Sequence, residues 1–136
     1  MGANVEEITA FLAGQFPNNK LVIEAVGNKA ARVKHLIGSE ELRPGGTVAG
    51  PVLMGLADAA LYIAIFGEVG IVPLAVTTSF TINVMRKPTA DAAVMADCKL
   101  MKVGRTLVVG EVTLYSEGQE EPVAHVVGTY SIPPIG

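Results

Sequence analysis

The stretch GPVLMGLADAALYIAIFG, from Gly50 to Gly67, decides the fold of this chain. Its only polar side-chain groups are the carboxylate of Asp58 and the hydroxyl of Tyr62, and Asp58 is the only charged residue between Arg43 and Glu68. A helix that is apolar on every side belongs in an interior. An ionised carboxylate there is costly unless it is paired or hydrogen-bonded, and buried ionisable groups cluster at active sites. We therefore predict a functional role for Asp58; the structural alternative is a carboxylate paired with a buried Tyr or Arg.

The composition bounds the class of protein. With 136 residues, half of them hydrophobic, the chain can bury the core of one domain over residues 1–136 without disulfides. The net charge of -3 lacks the basic character of nucleic-acid-binding proteins. The single cysteine, Cys98, excludes an internal disulfide and is typical of a reducing compartment. The N-terminal segment is acidic and lacks the basic region of a signal peptide, so we predict a cytoplasmic protein.

The apolar stretch is also long enough to cross a bilayer, because residues 48–67 approach the about 20 residues that a span needs. A carboxylate near the centre of a span opposes insertion by roughly 3 kcal/mol. The residues that follow alternate between polar and apolar, as the strands of soluble proteins do. We therefore expect no membrane partner.

The remaining segments are predicted to form a short helix and six strands. Asn4 and Glu7 are spaced as a capping box at the start of the first helix, and Pro17 ends it. Gly27-Asn28 predicts a two-residue hairpin turn. The predicted strands, which we expect to form an antiparallel sheet of sequential hairpins or meanders, are 20–26, 29–37, 76–85, 92–101, 106–115 and 123–132.

The long helix is predicted to run from Pro51 to Phe66, after a loop at 38–49 and with Gly67 as its C-cap. One sheet cannot cover a helix that is apolar on every side. We therefore expect a second subunit to cover the remaining face, as in a homodimer.

Three segments, taken in order, resemble one known family. GPVLMGLADAALYIAI carries the Leu-Ala-Asp context of that family's central helix at Asp58, TTSFTINVMRKP (Thr77–Pro88) is similar to its next strand, and VGRTLVVGEVTLYSEGQ is similar to its Gly-Arg turn and following strand. The family is the PaaI-type acyl-CoA thioesterases. The resemblance covers nearly the whole chain and implies an α+β hotdog fold, in which an antiparallel six-stranded sheet wraps around a long central helix.

The resemblance also implies an activity and an assembly. It implies hydrolysis of an acyl-CoA thioester to a carboxylic acid and free CoA by a homo-oligomer, either a dimer or a tetramer built as a dimer of dimers. No separate cofactor is expected, because coenzyme A is part of the substrate.

The chain departs from the family pattern where the central helix begins. The His of the family's His-Gly-Gly is Ala49 here, and the second Gly is Pro51. The family's Asn, which helps to place the thioester or the attacking water, aligns with Arg43. Arg43 either steers the thioester carbonyl or a carboxylate-bearing acyl chain through its fork of donors, or it lies in solvent. We favour the solvated position because Pro-Gly-Gly follows it.

Three residues are the catalytic candidates that the resemblance implies. The N–H of Gly50, at the helix N-terminus, would polarise the carbonyl; otherwise Gly50 only starts the helix. Asp58 would act as general base or nucleophile and, in a hotdog dimer, would face the helix N-terminus of the other subunit. Thr78, on the helix-facing side of its strand, is expected to hydrogen-bond Asp58 or the water.

Further residues are candidates for substrate binding: Ala49, Pro51, Tyr62, Arg86, Lys87 and Arg105. The Tyr62 side chain lies one turn from Asp58 on the same face, although a tyrosine there is more often a core residue. The cationic candidates, with Lys102, would bind the phosphates of coenzyme A, although such turn residues are usually only solvated. An apolar pocket is suggested by Ala49, Val52, Met54 and Leu61.

Other functions are weighed on the remaining polar residues. His35, His125 and Cys98 have no spacing typical of a metal site and are interpreted as structural. The departures at the helix start also fit a hotdog protein that binds acyl-CoA or another small apolar ligand without hydrolysing it. Hydratase-type chemistry is a third alternative, but relatives with that activity show a His with an Asp, and neither histidine is suitably placed.

Overall fold

The computed structural model describes residues 2–134, so Met1 and residues 135–136 of the predicted domain lie outside the described residues. The helices are α1 (Val5–Gln15) and α2 (Gly50–Val69), with a short 3-10 helix at Ser39–Glu41. The strands are β1 (Leu21–Gly27), β2 (Ala30–His35), β3 (Leu42–Arg43), β4 (Thr47–Val48), β5 (Val76–Val84), β6 (Val94–Val103), β7 (Leu107–Ser116) and β8 (Pro122–Ser131).

Six strands form one antiparallel sheet in the order β1-β2-β6-β7-β8-β5, and α2 packs against one face of it. This is the predicted hotdog fold, with α2 as the central helix. The expected sequential order is wrong in one respect: β5 does not pair with β6, its neighbour in sequence, but with β8 at the other edge. The predicted loop at 38–49 contains the small β3-β4 ladder, in which Arg43 pairs with Thr47.

The centre of α2 sits on a flat part of the sheet. Gly110 of β7 and Gly128 of β8 are paired, and a Cβ atom on either would lie 2.7 or 2.5 Å from a methyl group of Leu61. The absence of both side chains lets Leu61 approach the strands, where it is 1% exposed. Leu61 is therefore a core residue, and its suggested place in a ligand pocket is wrong.

Two predicted element boundaries are also wrong. The β1-β2 hairpin exists, but its turn is Asn28-Lys29, and both residues have positive φ, as a type I′ turn requires. The helix α2 continues past Gly67 to Val69 and is capped by Gly70, which has φ +95° and donates its N–H to the Phe66 carbonyl. The capping box of Asn4 and Glu7 is present as predicted.

α2 is not enclosed on every side by its own chain. Pro51, Met54 and Gly55 are exposed, and Asp58 and Tyr62 are half-buried on the same side of the helix. α2 is long and apolar enough to span a membrane, but half of its most apolar window is buried within the fold. The helix thus packs in the core of the fold, with one face left open.

Candidate active site

The carboxylate of Asp58 is held by two hydroxyl groups. Oδ1 of Asp58 accepts a hydrogen bond of 2.7 Å from Thr77 Oγ1 and one of 2.8 Å from the Tyr130 hydroxyl. The Tyr130 hydroxyl also lies 3.0 Å from the Asp58 main-chain oxygen. With Oδ1 occupied by both donors, Oδ2 is the oxygen free to face a ligand or water.

Tyr130 is an unusual donor because it is 4% exposed on the sheet face that packs on α2. Burial raises the pKa of Tyr130 far above its usual value, and the nearby charge of Asp58 adds to the effect. The phenol therefore stays protonated and remains a hydrogen-bond donor. The sequence analysis named a buried tyrosine as the structural alternative for Asp58, and this pairing is present, but it did not identify Tyr130. One signal was available, because a tyrosine on a buried strand face needs a partner for its hydroxyl.

The hydrogen bond that was expected from Thr78 comes from Thr77. A bulge between Thr77 and Ser79 leaves Thr78 out of the β5-β8 register, so that Thr77 stands opposite Tyr130 and Ser79 opposite Thr129. The Thr78 hydroxyl donates instead to the Thr129 carbonyl, at 3.3 Å. An extra residue in one strand reverses which side chains face the helix, and this is why simple alternation selected the wrong threonine.

Asp58 stands at the junction of two cavities. The larger, about 630 Å³, is lined by Leu12, Phe16, Asn19, Leu21, Gly55, Asp58, Ala59, Tyr62, Pro73, Ala75, Val76, Thr77 and Tyr130. The second, about 330 Å³, is a groove on the open face of α2 and is lined by Met54, Gly55, Asp58, Thr77 and Phe80. A ligand that entered along the groove would pass the carboxylate before it reached the larger cavity.

The Tyr62 ring lines the larger cavity, 6.1 Å from the ring of Tyr130 by their centroids. Its hydroxyl donates to the Pro73 carbonyl at 2.9 Å, and burial raises the pKa of Tyr62. This agrees with a tyrosine whose hydroxyl is satisfied within the fold.

Gly50 is the first residue of α2, and its N–H has no intrahelical acceptor there. The N-cap residue, Ala49, provides no side-chain hydrogen bond. A Cβ atom on Gly50 would meet no atom within 4 Å, so packing within the chain does not require glycine at this position. The arrangement leaves an unused donor at the positive end of a 20-residue helix.

The entry to α2 is fixed by Glu41, which is 7% exposed. Its carboxylate accepts from the Gly38 N–H at 2.6 Å and forms an ion pair with Lys20 at 2.9 Å. Its main-chain carbonyl accepts from the Ala49 N–H at 2.9 Å. The hydrogen bond from Lys20, with smaller help from the Gly38 N–H, lowers the pKa of Glu41 against the effect of burial. Glu41 thereby ties the loop before α2 to the start of β1.

The cationic candidates are not gathered at one place within the chain. Val84, two residues before Arg86, pairs with Ala124, whereas Leu107, two residues after Arg105, pairs with Ser131. The seven residue-to-residue steps from Ala124 to Ser131 span about 24 Å of strand. Arg86 is also paired with Glu121, at 2.7 Å.

Arg43 and Pro51 are exposed, and Ala49 is half-buried. His125 contacts Glu111 at 2.9 Å, and His35 contacts the Leu36 carbonyl at 2.8 Å. Residues 2–134 contain no group of three or more potential metal ligands.

Cys98 is buried, and burial raises the pKa of its thiol to about 12, so it is an inert packing residue. This agrees with its interpretation as structural.

Comparison with known proteins agrees with this geometry. The family model described as the thioesterase superfamily matches residues 45–123, more than half of the chain. No protein with a curated description matches. Among solved structures, a candidate thioesterase from a Silicibacter species is 38% identical, with a TM-score of 0.89 over 96% of this chain and 92% of that one.

Two further solved structures share the fold. A mutant of the phenylacetic acid degradation protein PaaI from Thermus thermophilus is 25% identical, with a TM-score of 0.74 over 91% of this chain and 99% of that one. A Streptococcus mutans protein, solved with acetyl-CoA bound, is 18% identical, with a TM-score of 0.74 over 85% of this chain and 90% of that one. The chain therefore belongs to the thioesterase superfamily, as a PaaI-like member with the hotdog fold.

Proposed function

We propose that the chain hydrolyses acyl-CoA thioesters to a carboxylic acid and free CoA, with Asp58 as general base or nucleophile. Membership of the thioesterase superfamily supports thioester hydrolysis in general. The observation that carries the specific proposal is the Asp58 carboxylate, oriented by Thr77 and Tyr130 beside an apolar cavity of about 630 Å³.

Both roles of Asp58 use the oxygen that Thr77 and Tyr130 leave free. As a general base, Oδ2 takes a proton from water while the water oxygen bonds to the thioester carbonyl carbon; collapse of the intermediate breaks the C–S bond, and the CoA thiolate leaves. As a nucleophile, Oδ2 itself bonds to the carbonyl carbon and expels the thiolate, and water then hydrolyses the resulting anhydride. Single turnover in ¹⁸O-labelled water detects the second route, since label enters the Asp58 carboxyl group only when water hydrolyses the anhydride at the Asp58 carbon.

The unused N–H of Gly50 is the proposed donor to the developing oxyanion. Asp58 follows Gly50 by eight residues, which is about 12 Å along one helix. One subunit therefore cannot bring both groups to the same carbonyl, so we propose that the Gly50 N–H comes from a second copy of the chain across a dimer interface.

The open face of the molecule supports this assembly. Met54 is 41% exposed on α2, and Val84 and Met85 at the end of the edge strand β5 are 57% and 54% exposed. Met54 also lines the groove that holds Asp58. A second copy seated there would cover apolar surface and complete the site at once. A dimer of such dimers would give the tetramer.

The remaining assignments follow from this activity. Ala49 and Pro51 flank the Gly50 N–H, and Arg86, Lys87 and Arg105 are proposed contacts for coenzyme A phosphates. Within one chain, Arg86 and Lys87 lie far from Arg105. A single coenzyme A would therefore contact both sets of cations only if they came from different subunits. Thr78 would contact the water or the partner subunit. Coenzyme A enters as part of the substrate, with no further cofactor, and we place the protein in the cytoplasm.

A second candidate function is favoured by the altered helix start. Ala49 and Arg43 stand where relatives have a His and an Asn, so the protein would bind acyl-CoA or a small apolar ligand without hydrolysing it. A thiol-release assay on an acyl-CoA panel, combined with calorimetry on the same compounds, decides between the two. Thiol release with turnover supports the enzyme; binding without release supports the alternative and contradicts our proposal.

The role of Gly50 can be isolated because the backbone tolerates proline there. Ala49 is extended, with ψ 141°, as a residue before proline must be. Gly50→Pro removes the N–H, and Gly50→Ala keeps it; both variants add a Cβ atom to the residue before Pro51, so the alanine variant controls for that change. We expect kcat to fall about 100-fold in Gly50→Pro and to change little in Gly50→Ala.

Mixing two inactive variants tests whether the site is shared. In a hybrid dimer of Asp58→Asn and Gly50→Pro subunits, one site has an intact Asp58 from one subunit and an intact Gly50 from the other. Mixed and re-equilibrated subunits should regain activity that neither variant has alone. No recovery, or a monomer of about 14 kDa by light scattering at micromolar concentration, contradicts the shared site.

A further inference from the structure

The larger cavity has a wall that lies outside the central helix and the sheet edge. Leu12 and Phe16 from the last turn of α1 line it, together with Asn19 and Leu21 from the segment that leads into β1. Leu12 is 6% exposed and fixed in the core, whereas Phe16 is 52% exposed. α1 thus presents an apolar wall with one accessible aromatic ring.

The position of this wall is fixed by local hydrogen bonds. The Phe16 N–H donates to the Leu12 carbonyl at 2.7 Å and ends the helix. The Asn19 side chain donates to the Phe16 carbonyl at 2.7 Å and accepts from the Leu21 N–H at 3.0 Å. Phe16 is therefore held at the cavity by a closed turn.

The polar side chains that line the cavity already have partners within the fold. Thr77 and Tyr130 donate to Asp58, and Tyr62 donates to the Pro73 carbonyl. Asn19 is used in the turn just described. Among the described lining residues none is Lys, Arg or His, and the one charged group is the Asp58 carboxylate. A ligand that carries a negative charge into this cavity would find no cation among the lining residues of the same subunit and would face a like charge.

The volume of the larger cavity also limits the size of the acyl group that it can hold. At roughly 30 Å³ for a group the size of a water molecule, a cavity of about 630 Å³ has room for up to about 20 non-hydrogen atoms. An acetyl group would leave nearly all of it empty.

We propose that this cavity binds the acyl group, that it selects uncharged apolar acyl groups larger than acetyl, and that Phe16 is a specificity-determining residue in its wall. This inference rests on the proposed function, because it assigns the acyl subsite of the Asp58 site. It places the thioester at Asp58, the acyl chain against α1 and the coenzyme A moiety toward the groove of Met54 and Phe80.

A matched pair of substrates tests the charge selection. Hexanoyl-CoA and adipoyl-CoA have the same chain length and differ by a terminal carboxylate. We expect kcat/KM to be at least about tenfold higher for hexanoyl-CoA, and acetyl-CoA to be a poor substrate as well. Equal values for the three compounds would overturn the inference.

Variants at Phe16 test the wall. Phe16→Arg places a cation at the cavity. The ratio of kcat/KM for hexanoyl-CoA to kcat/KM for adipoyl-CoA should therefore fall about tenfold. Phe16→Ala should raise kcat/KM for decanoyl-CoA relative to hexanoyl-CoA. The matched controls are Leu36→Arg and Leu36→Ala, because Leu36 is 48% exposed and does not line the cavity. Unchanged preferences in both Phe16 variants would overturn the inference, provided that thermal unfolding shows them folded.

Binding measurements separate this inference from the proposed function. Calorimetry reports which acyl-CoA is bound, with the wild type where it releases no thiol and otherwise with the slow Asp58→Asn variant. Because Asp58→Asn removes one cause of the charge selection, its preference for hexanoyl-CoA is expected to be smaller than that of the wild type. If the wild type releases no thiol but binding still prefers hexanoyl-CoA to adipoyl-CoA and shifts in Phe16→Arg, the hydrolase proposal fails and the pocket stands. If thiol is released with no such preference, the pocket fails and the hydrolase stands. If no acyl-CoA is bound or hydrolysed, both fail.

Discussion

Two aspartates, one on each side of the sheet, each accept a hydrogen bond from a tyrosine hydroxyl. Asp58 belongs to α2, which packs on the inner face, and Asp97 belongs to β6 and points to the outer face. The surroundings of the two carboxylates differ. On the helix side, Asp58 accepts from Tyr130 at 2.8 Å. On the outer side, Asp97 accepts from Tyr115 at 3.0 Å and also forms an ion pair with Arg32, whose Nε lies at 2.8 Å. Asp58 has no such cation among the residues that line its cavity.

The difference concerns what each carboxylate can still do. The Asp97 oxygens are both occupied, because Arg32 Nε bonds Oδ1 and Nη2 lies 3.3 Å from Oδ2. The hydrogen bond that Arg32 donates to Asp97 raises the pKa of Arg32, as expected for a mutually stabilising pair. Such an exposed pair contributes little beyond local order. The Asp58 carboxylate keeps one oxygen free beside an apolar cavity, and this is the arrangement that suits proton transfer or nucleophilic attack.

The largest expected effect separates the two aspartates directly. Asp58→Asn keeps the shape and both hydroxyl partners but removes the base, so thiol release should fall about 100-fold or more. Asp97→Asn, its control on the outer face, should change kcat by less than about twofold. Steady-state kinetics with both proteins shown to be folded by circular dichroism make the comparison. Equal losses would contradict the assignment of chemistry to the inner aspartate alone.

The two tyrosines give the next largest effect. Tyr130→Phe removes a donor that orients Asp58, and kcat should fall about tenfold with KM little changed. The free energy of unfolding should also fall by about 1–3 kcal/mol, because a buried hydrogen bond to a charged group is lost. Tyr115→Phe should leave kcat unchanged. An unchanged kcat in Tyr130→Phe would show that Asp58 does not need Tyr130 as an orienting partner and that Thr77 alone is sufficient.

Adjacent threonines provide a finer test. Thr77→Val removes the 2.7 Å hydrogen bond to Asp58 while keeping the shape, and we expect kcat to fall several-fold, to about one fifth. Thr78→Val, one residue along the same bulge, should have a smaller effect, since its hydroxyl bonds the Thr129 carbonyl. If Thr78→Val proves the more harmful of the two, the hydroxyl of Thr78 acts on the water, as the family resemblance implies.

These residues also show how far the sequence leads. The apolar run with one acid was enough to predict α2 and its central place in the fold, and it singled out Asp58, whose carboxylate accepts hydrogen bonds from Thr77 and Tyr130. Tyr130 lies 72 residues from Asp58, and only the pairing of β8 with β5 brings it there. That Thr77, and not Thr78, bonds Asp58 depends on one bulge residue, which the alternation of polar and apolar residues does not reveal.

The carboxylate of Glu41, which is ion-paired with Lys20, should affect the stability of the fold rather than turnover. Glu41 has a pKa lowered chiefly by the hydrogen bond from Lys20, so its ionised form stabilises the fold above the ordinary value of about 4.5. That contribution should be lost as the pH falls through the lowered folded-state pKa. In denaturant unfolding, the free energy of unfolding of Glu41→Gln should therefore be lower than that of the wild type at pH 7, and this difference should shrink toward zero below pH 4.5. A deficit that is constant with pH would assign the effect to packing instead.

The smallest effect is expected at Arg43, where relatives have an Asn. Arg43 is exposed, and its two-residue strand is joined to Thr47 by a turn in which Gly45 and Gly46 have φ +98° and +78°. A guanidinium on such a turn is solvated within its own subunit, so Arg43→Ala should change kcat/KM by less than about twofold. Measurement on hexanoyl-CoA and adipoyl-CoA sharpens the test, because a steering role would act most on the acyl group with a carboxylate. A drop of about tenfold or more with folding intact would mean that Arg43 reaches a site across the dimer interface and takes the place of the missing Asn.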